Sequence, residues 1–215
     1  MEIKSFQGGY DKNLSYILWC KESLRAAIVD PSVEPLRIFE FIDNNNLILD
    51  KILITHTHYD HITYLSDFLY YYPSIRICAF KNPVKNLGKN FHGLTNSQII
   101  NVGKSILIAL HTPGHYPDCM CFWDKNKRIL LTGDTIFVGR TGRTVSSGSK
   151  IEDLYNSVYN KILKLPLSTK IYPGHNYGFS KICTLKENMI YSPFFQCKSF
   201  HEFKIVMDNY ERNRK

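Results

Sequence analysis

Four residues able to hold a metal ion, His56, His58, Asp60 and His61, fall within six consecutive positions of this 215-residue chain, in the stretch 54-ITHTHYDHITY-64. Three imidazoles packed this closely repel one another whenever they protonate, and burial raises that cost. A divalent cation between them reverses the sign of the energy. Side chains two apart on an extended chain share a face, so His56 and His58 converge just beyond a predicted strand at 51–55. A turn into a helix beginning near Asp60 would swing Asp60 and His61 back toward the same cavity. The alternative is a solvated polar loop, which gives no reason for four ligand types at this spacing.

Three later stretches offer partners. In 111-HTPGHYPD-118 the chain turns sharply through Pro113-Gly114 and presents His115; in 131-LTGDTIF-137 an apolar run ends at Gly133 and projects Asp134; in 171-IYPGHNYG-178 a second Pro-Gly pair places His175. Each is a ligand type at a strand end beside a glycine, where backbone can approach closely. Alone, each is as well explained by an ordinary loop; their repetition carries the inference. Of the 8 histidines this leaves His92, His111 and His201. His111 is read as a packing or hydrogen-bonding residue at a strand end.

The elements that must position these residues are legible as alternating or apolar runs. Strands are predicted at 14–20, 25–30, 51–55, 75–80, 105–112, 119–124, 128–133 and 169–173. Helical spacing covers about 33–45, 60–71, 151–164, 184–191 and 199–212, the last two opened by the capping boxes Thr184-x-x-Glu187 and Ser199-x-x-Glu202. The segment 81–98, rich in Asn, Lys and Gly, reads as a connection. Strands alternate with helices in both halves, which predicts a layered α/β protein. With no internal repeat and no linker, residues 1–215 are expected to form one domain ending in a short helical tail at about 184–215.

Composition narrows the function. Hydrophobic content of 44% with 21% charged residues is that of a globular protein. No apolar run approaches the roughly 18–20 residues that span a bilayer. MEIKSFQGGYDKN has no apolar signal core, so a cytoplasmic protein is expected, with its six cysteines reduced. The net charge of +8 comes from scattered residues, without the basic arm or aromatic platform of a nucleic-acid binder. A small anionic substrate is compatible with it. Oligomeric state is not written in the sequence; the run 70-YYY-72 is read as packing under a neighbouring helix.

The order HxHxDH, TPGH, GDTIF, PGHxY resembles the metallo-β-lactamase superfamily, and within it the short hydroxyacylglutathione hydrolase (glyoxalase II) branch, from about residue 10 to 193. The resemblance implies a four-layer αββα sandwich with the metal site at one edge between the two sheets. It implies His56, His58 and His115 on one metal, Asp60, His61 and His175 on a second, and Asp134 bridging both, with Asp60 and Asp134 as the catalytic carboxylates. All-nitrogen and mixed N/O shells with an open position suit Zn²⁺, and iron or manganese would also fit. It also implies that Arg143 (in 139-GRTGRT-144) and Tyr177 contact substrate, with Arg140 a weaker candidate. Two departures stand out. Val145 replaces a tyrosine expected in the long enzymes, whose C-terminal helical extension exceeds the 40 residues that follow His175 here, and Ser192 replaces the Asn of the NP ending.

The implied chemistry is hydrolysis of an anionic acyl thioester such as S-lactoylglutathione by a metal-bound hydroxide. A thiolate leaves with a pKa near 8.5, so no strong general acid is required. Two alternatives use the same residues. A mononuclear iron persulfide dioxygenase would use His56, His115 and Asp134 as a facial triad. A two-metal phosphodiesterase or nuclease would direct the water at phosphorus.

Overall fold

The computed structural model describes residues 1–214. Two six-stranded sheets face each other. The first runs β1 (Glu2–Gly8), β2 (Asn13–Trp19), β3 (Arg25–Val29), β4 (Ile48–Leu53), β5 (Arg76–Phe80) and β6 (Phe91–Leu94), in that spatial order. Its first three strands pair antiparallel and β3 to β6 pair parallel. Parallel neighbours need a crossover, and α1 (Leu36–Asn44) and α2 (Leu65–Tyr71) supply it on either side of β4.

The second sheet takes β7 (Ile99–Val102), β8 (Ser105–His111), β9 (Met120–Asp124) and β10 (Ile129–Gly133) as an antiparallel meander. A ribbon of β11 (Ile136–Phe137) and β12 (Arg140–Thr141) leads to α3 (Ile151–Asn160), after which β13 (Lys170–Pro173) joins β10 in parallel. The chain then adds β14 (Cys183–Thr184) at the edge and closes with α4 (Leu185–Tyr191) and α5 (Phe200–Arg212).

The layers follow from which residues alternate inward. Leu14, Tyr16 and Leu18 of β2 meet Phe122 and Leu131 of the opposite sheet, while Ile17 on the other face of β2 packs with Ile38, Ile42 and Phe68 of α1 and α2. A third core joins Leu130 and Ile171 to Leu154 and Val158 of α3 and to Phe203 and Met207 of α5. A strand covered on both faces reads as a continuous apolar run, which is why LSYILW was legible as a strand. The result is the expected αββα order of layers.

The structure departs from expectation mainly at edges. The strands β1, β6 and β7 and the two-residue strands β11, β12 and β14 lie outside the predicted runs. In β1 only Phe6 is buried, and in β6, inside the segment read as a connection, only Leu94 is. Edge strands carry polar residues that hide their period. The helix expected at 60–71 is a single 3-10 turn, Tyr59–His61, followed by α2. That turn performs the reversal the ligand spacing demanded. Thr184 and Glu187 form a reciprocal capping box, whereas Ser199 accepts from the Glu202 N–H but Glu202 accepts from Lys198 N–H instead of completing the box. All six cysteines are free. Among the described residues no helix is long and apolar enough to cross a membrane.

Candidate metal centre

The ends of β4, β8, β10 and β13 open toward one edge of the sandwich, and each delivers part of one cluster. His56 and His58 follow β4, His115 follows β8, Asp134 follows β10 and His175 follows β13. Glycine makes the approach possible at two of these ends. Gly133 lies in the left-handed region at φ +47°, against Thr55. A methyl group on Gly174 would collide with Asp134 Oδ1 and His61 Cε1.

All seven predicted ligands converge. His58 Nδ1 lies 3.0 Å from His56 Nε2 and 3.0 Å from His115 Nε2. Across the cavity His175 Nε2 lies 3.2 Å from His61 Nε2 and 3.2 Å from Asp60 Oδ2. Asp134 stands between the two groups, with Oδ1 3.2 Å from His61 Nε2 and Oδ2 3.6 Å from His115 Nε2 and 3.5 Å from His175 Nε2. Every one of these histidines except His58 is buried, and His58 is partly so.

The outward nitrogens decide what the inward ones can do. His61 Nδ1 donates to Asp30 Oδ2 at 2.8 Å, His175 Nδ1 to the Asp11 carbonyl at 2.7 Å and His115 Nδ1 to the Arg143 carbonyl at 2.7 Å. A carboxylate and carbonyls only accept, so these Nδ1 atoms carry the protons. In the neutral rings the Nε2 lone pairs then point into the cavity; His61 and His175 aim theirs at each other. Asp134 Oδ1, also buried, has no hydrogen-bond partner. Buried lone pairs and an orphaned carboxylate oxygen are the donor set a divalent cation satisfies, with N–H groups fixed from behind as metal-binding histidines require. The residues present therefore fit a divalent metal.

The apo electrostatics show the same demand. Burial pushes the His61 imidazole down, but Asp134 and Asp30 more than offset it and hold it well above the usual histidine range. Burial likewise opposes His175, which Asp134 and Asp60 raise to about 9. Against burial, which raises it, the facing His175 and His61 hold Asp134 well below the usual carboxylate range. Burial and neighbouring imidazoles push His56 down, and His58 to about 4. Without a metal, protons on one half of the site neutralise its carboxylates.

Several supporting residues escaped the sequence analysis. Asp30, just past β3, accepts from the Thr55 N–H at 2.7 Å and from its hydroxyl at 2.6 Å as well as from His61. Asn13 Nδ2 donates to Asp60 Oδ2 at 2.9 Å. Asn188 donates to the Phe137 carbonyl and accepts from the Gly139 N–H, both at 2.8 Å, which fixes the segment after Asp134. Asp30→Ala is expected to weaken divalent-metal binding about 10–100-fold by freeing the His61 ring. It should also lower stability by about 3–5 kcal/mol, because a buried charged partner is lost. Competition with a chromophoric chelator and urea unfolding measure the two; unchanged metal affinity would remove Asp30 from the site.

Beside the cluster lies a cavity of about 370 Å³ lined by Tyr59, Phe137, Arg140, Arg143, Tyr177 and Arg214, among others. Of the two predicted substrate contacts, Tyr177 stacks flat on His175, with ring centroids 4.7 Å apart, and donates to Asp11 Oδ2 at 2.5 Å. Arg143 also reaches the cavity, but its Nε and Nη2 donate to both oxygens of Glu211 at 2.7 and 2.5 Å. His111 stays outside, stacked on Phe80 with ring centroids 3.8 Å apart and bonded to the Pro117 carbonyl. Val145 is exposed, and the Ser192 hydroxyl accepts from the Phe194 N–H to open a 3-10 turn.

Known proteins resemble this chain in sequence and in fold. Residues 9–175 match the metallo-β-lactamase superfamily. The hydroxyacylglutathione hydrolase of Francisella tularensis subsp. novicida is 35% identical over 183 residues, covering 85% of this chain and 70% of that protein. The fold superposes on ETHE1 from Myxococcus xanthus with a TM-score of 0.88 at 24% identity, over 100% of this chain and 92% of the other. A metallo-β-lactamase from Staphylococcus aureus gives 0.84 at 24% identity, over 100% of this chain and 67% of the other. The chain that folds these seven ligand-type residues into one cluster belongs to the metallo-β-lactamase superfamily and is glyoxalase II-like within it.

Proposed function

We propose that the protein is a zinc-dependent acyl-thioester hydrolase with a binuclear centre. His56, His58 and His115 would hold one ion, Asp60, His61 and His175 the other, and Asp134 both. The observation that carries two ions rather than one is the opposed pair His61 Nε2 and His175 Nε2, 3.2 Å apart with both Nδ1 atoms already committed. In a mononuclear iron oxygenase these would be orienting groups, yet they are themselves oriented from behind as ligands are.

Bound there, a pair of divalent cations would lower the pKa of water to about 7 and polarise a carbonyl. The chain's own part is placement. Asn13 holds Asp60 and the converging imidazoles hold Asp134, so neither carboxylate needs to reorganise during reaction. Tyr177, immobilised between His175 and Asp11, walls the cavity on one side, and Tyr59 lines it as well. The arginines of the lining favour an anionic substrate. Arginines and tyrosines do not release protons near neutrality, so the cavity suits a leaving group that needs none, a thiolate with a pKa near about 8.5. Six free thiols fit a reducing compartment such as the cytoplasm.

The relative's name points to S-lactoylglutathione as the first substrate to try. Zinc-loaded protein is expected to release lactate and free thiol from it, followed by thiol detection. No turnover of this or a panel of acyl thioesters, alongside oxygen uptake with glutathione persulfide by iron-loaded protein, would transfer the site to the oxygenase.

A further inference from the structure

A second cavity, of about 430 Å³, opens between the two sheets at the end of the sandwich away from the metal cluster. Strand alternation builds it. Ala27, Leu53, Cys78 and Leu94 point into the core between the sheets, so Arg25, Lys51, Arg76 and His92, two residues earlier on the same strands, share that face. Lys51 lies five residues before His56, about 16 Å along an extended chain. Asp50 is the unpaired residue of a β-bulge, since Ala26 faces Leu49 and Ala27 faces Lys51. The bulge turns two adjacent side chains, Asp50 and Lys51, to one cavity. There Asp50 accepts from Lys51 Nζ at 2.5 Å and pairs with Arg25 at 3.6 Å. The Lys51 side chain is only 7% exposed, yet this bond uses one of its three N–H donors. Among the described residues Arg76 has no carboxylate partner. Burial pushes the Cys78 thiol up to about 11 although Lys51 and Arg76 pull it down, so it adds no negative charge.

Arg25, Lys51 and Arg76 thus face one carboxylate, Asp50, in a cavity that no other acidic residue lines. We infer that this cavity binds a dianionic phosphate group, carried by a small phosphorylated metabolite or free as inorganic phosphate. A buried ammonium ordinarily has its donors satisfied, and the two that Lys51 leaves unspent require an acceptor. A phosphate monoester carries a charge of about −1.5 to −2 at neutral pH, which the excess of two cations matches and a single carboxylate would not. Arg76 supplies a planar donor fork and Lys51 a point charge held in place by Asp50 and by burial. Gln98 and Asn101 present amides to the rest of an ester. The site is separate from the metal cluster and does not depend on the hydrolase reading.

Calorimetry on the metal-loaded protein tests this with glycerol 3-phosphate and, in a separate arm, inorganic phosphate. At least one should bind, with an affinity that falls as salt is added. Tighter binding of the ester assigns the cavity to a metabolite, and equal or tighter binding of phosphate assigns it to the free anion. Arg76→Gln is expected to weaken the tighter probe about 10-fold or more, the size of a charge-assisted hydrogen bond. Asp50→Asn should act in the opposite direction and tighten it about 5-fold, because the internal competitor for Lys51 loses its charge. A purely structural role for Asp50 gives a loss instead. Lys51→Met, which fills the same space without the ammonium, should abolish binding and serves if Asp50→Asn is unstable. No heat from either probe at millimolar concentration, undiminished affinity in Arg76→Gln or Lys51→Met, or weaker binding in Asp50→Asn would each overturn the assignment.

Discussion

Asp134→Ala is expected to reduce thioester hydrolysis by about 10³-fold or more, because both halves of the cluster then lose their shared anionic ligand. In the structure this carboxylate faces His61 through one oxygen and His115 and His175 through the other. Its removal leaves the five imidazoles with Asp60 as the one carboxylate to bind two dications, and only one of the two halves then has an anionic counterweight. The variant should retain at most one equivalent of zinc after gel filtration. Because Asp134 also neutralises His61 and His175 when no metal is bound, the apo variant should be less stable than apo wild type. Asp134→Asn separates the effects: it keeps the volume and one oxygen, so a rate close to wild type would show that the negative charge is dispensable. The rate is read with saturating zinc, which keeps weakened loading from passing as a chemical defect.

Stripping the metals should lower the melting temperature by about 10 °C. A ligand bound only by the folded chain stabilises it by about 4 kcal/mol at a thousandfold excess over Kd, and each kcal/mol shifts a domain of this size by about 2–4 °C. The cluster explains why the apo protein is poorer. His56, His61, His115, Asp134 and His175 are buried, and without cations their charges balance only through protons. The effect should reverse on adding zinc and should be smaller in Asp134→Ala. Identical melting curves before and after exhaustive chelation would mean that the folded chain does not carry the proposed centre.

Much of this was legible in the sequence for a physical reason. THTHYDH, TPGH, GDT and PGH place ligand types at strand ends, and neither histidine nor aspartate has a cheaper reason to crowd there. The apolar runs of β2, β9 and β10 were equally plain, because a strand buried on both faces is seldom polar. What stayed hidden depends on proximity in space. The Asp11 carbonyl that orients His175 has no signature, since every residue carries a carbonyl. Asp30, which holds His61 from 31 positions away, looks like any aspartate closing a strand. Arg143 was the predicted anion contact, and its capture by Glu211, 68 positions on, could not be seen before α5 was placed. Arg140, the weaker candidate, stacks among Phe137 of β11, Tyr177 after β13 and Tyr210 of α5, contacts that emerged only from packing.

The most direct measurement is a zinc titration of the chelated protein, followed by the initial rate of S-lactoylglutathione hydrolysis. The rate should start near zero and stop rising at two equivalents, with Asp134→Ala inactive throughout. A rate that is already maximal before zinc is added, or one that stays at zero past two bound equivalents, would contradict a hydrolase built on this paired centre.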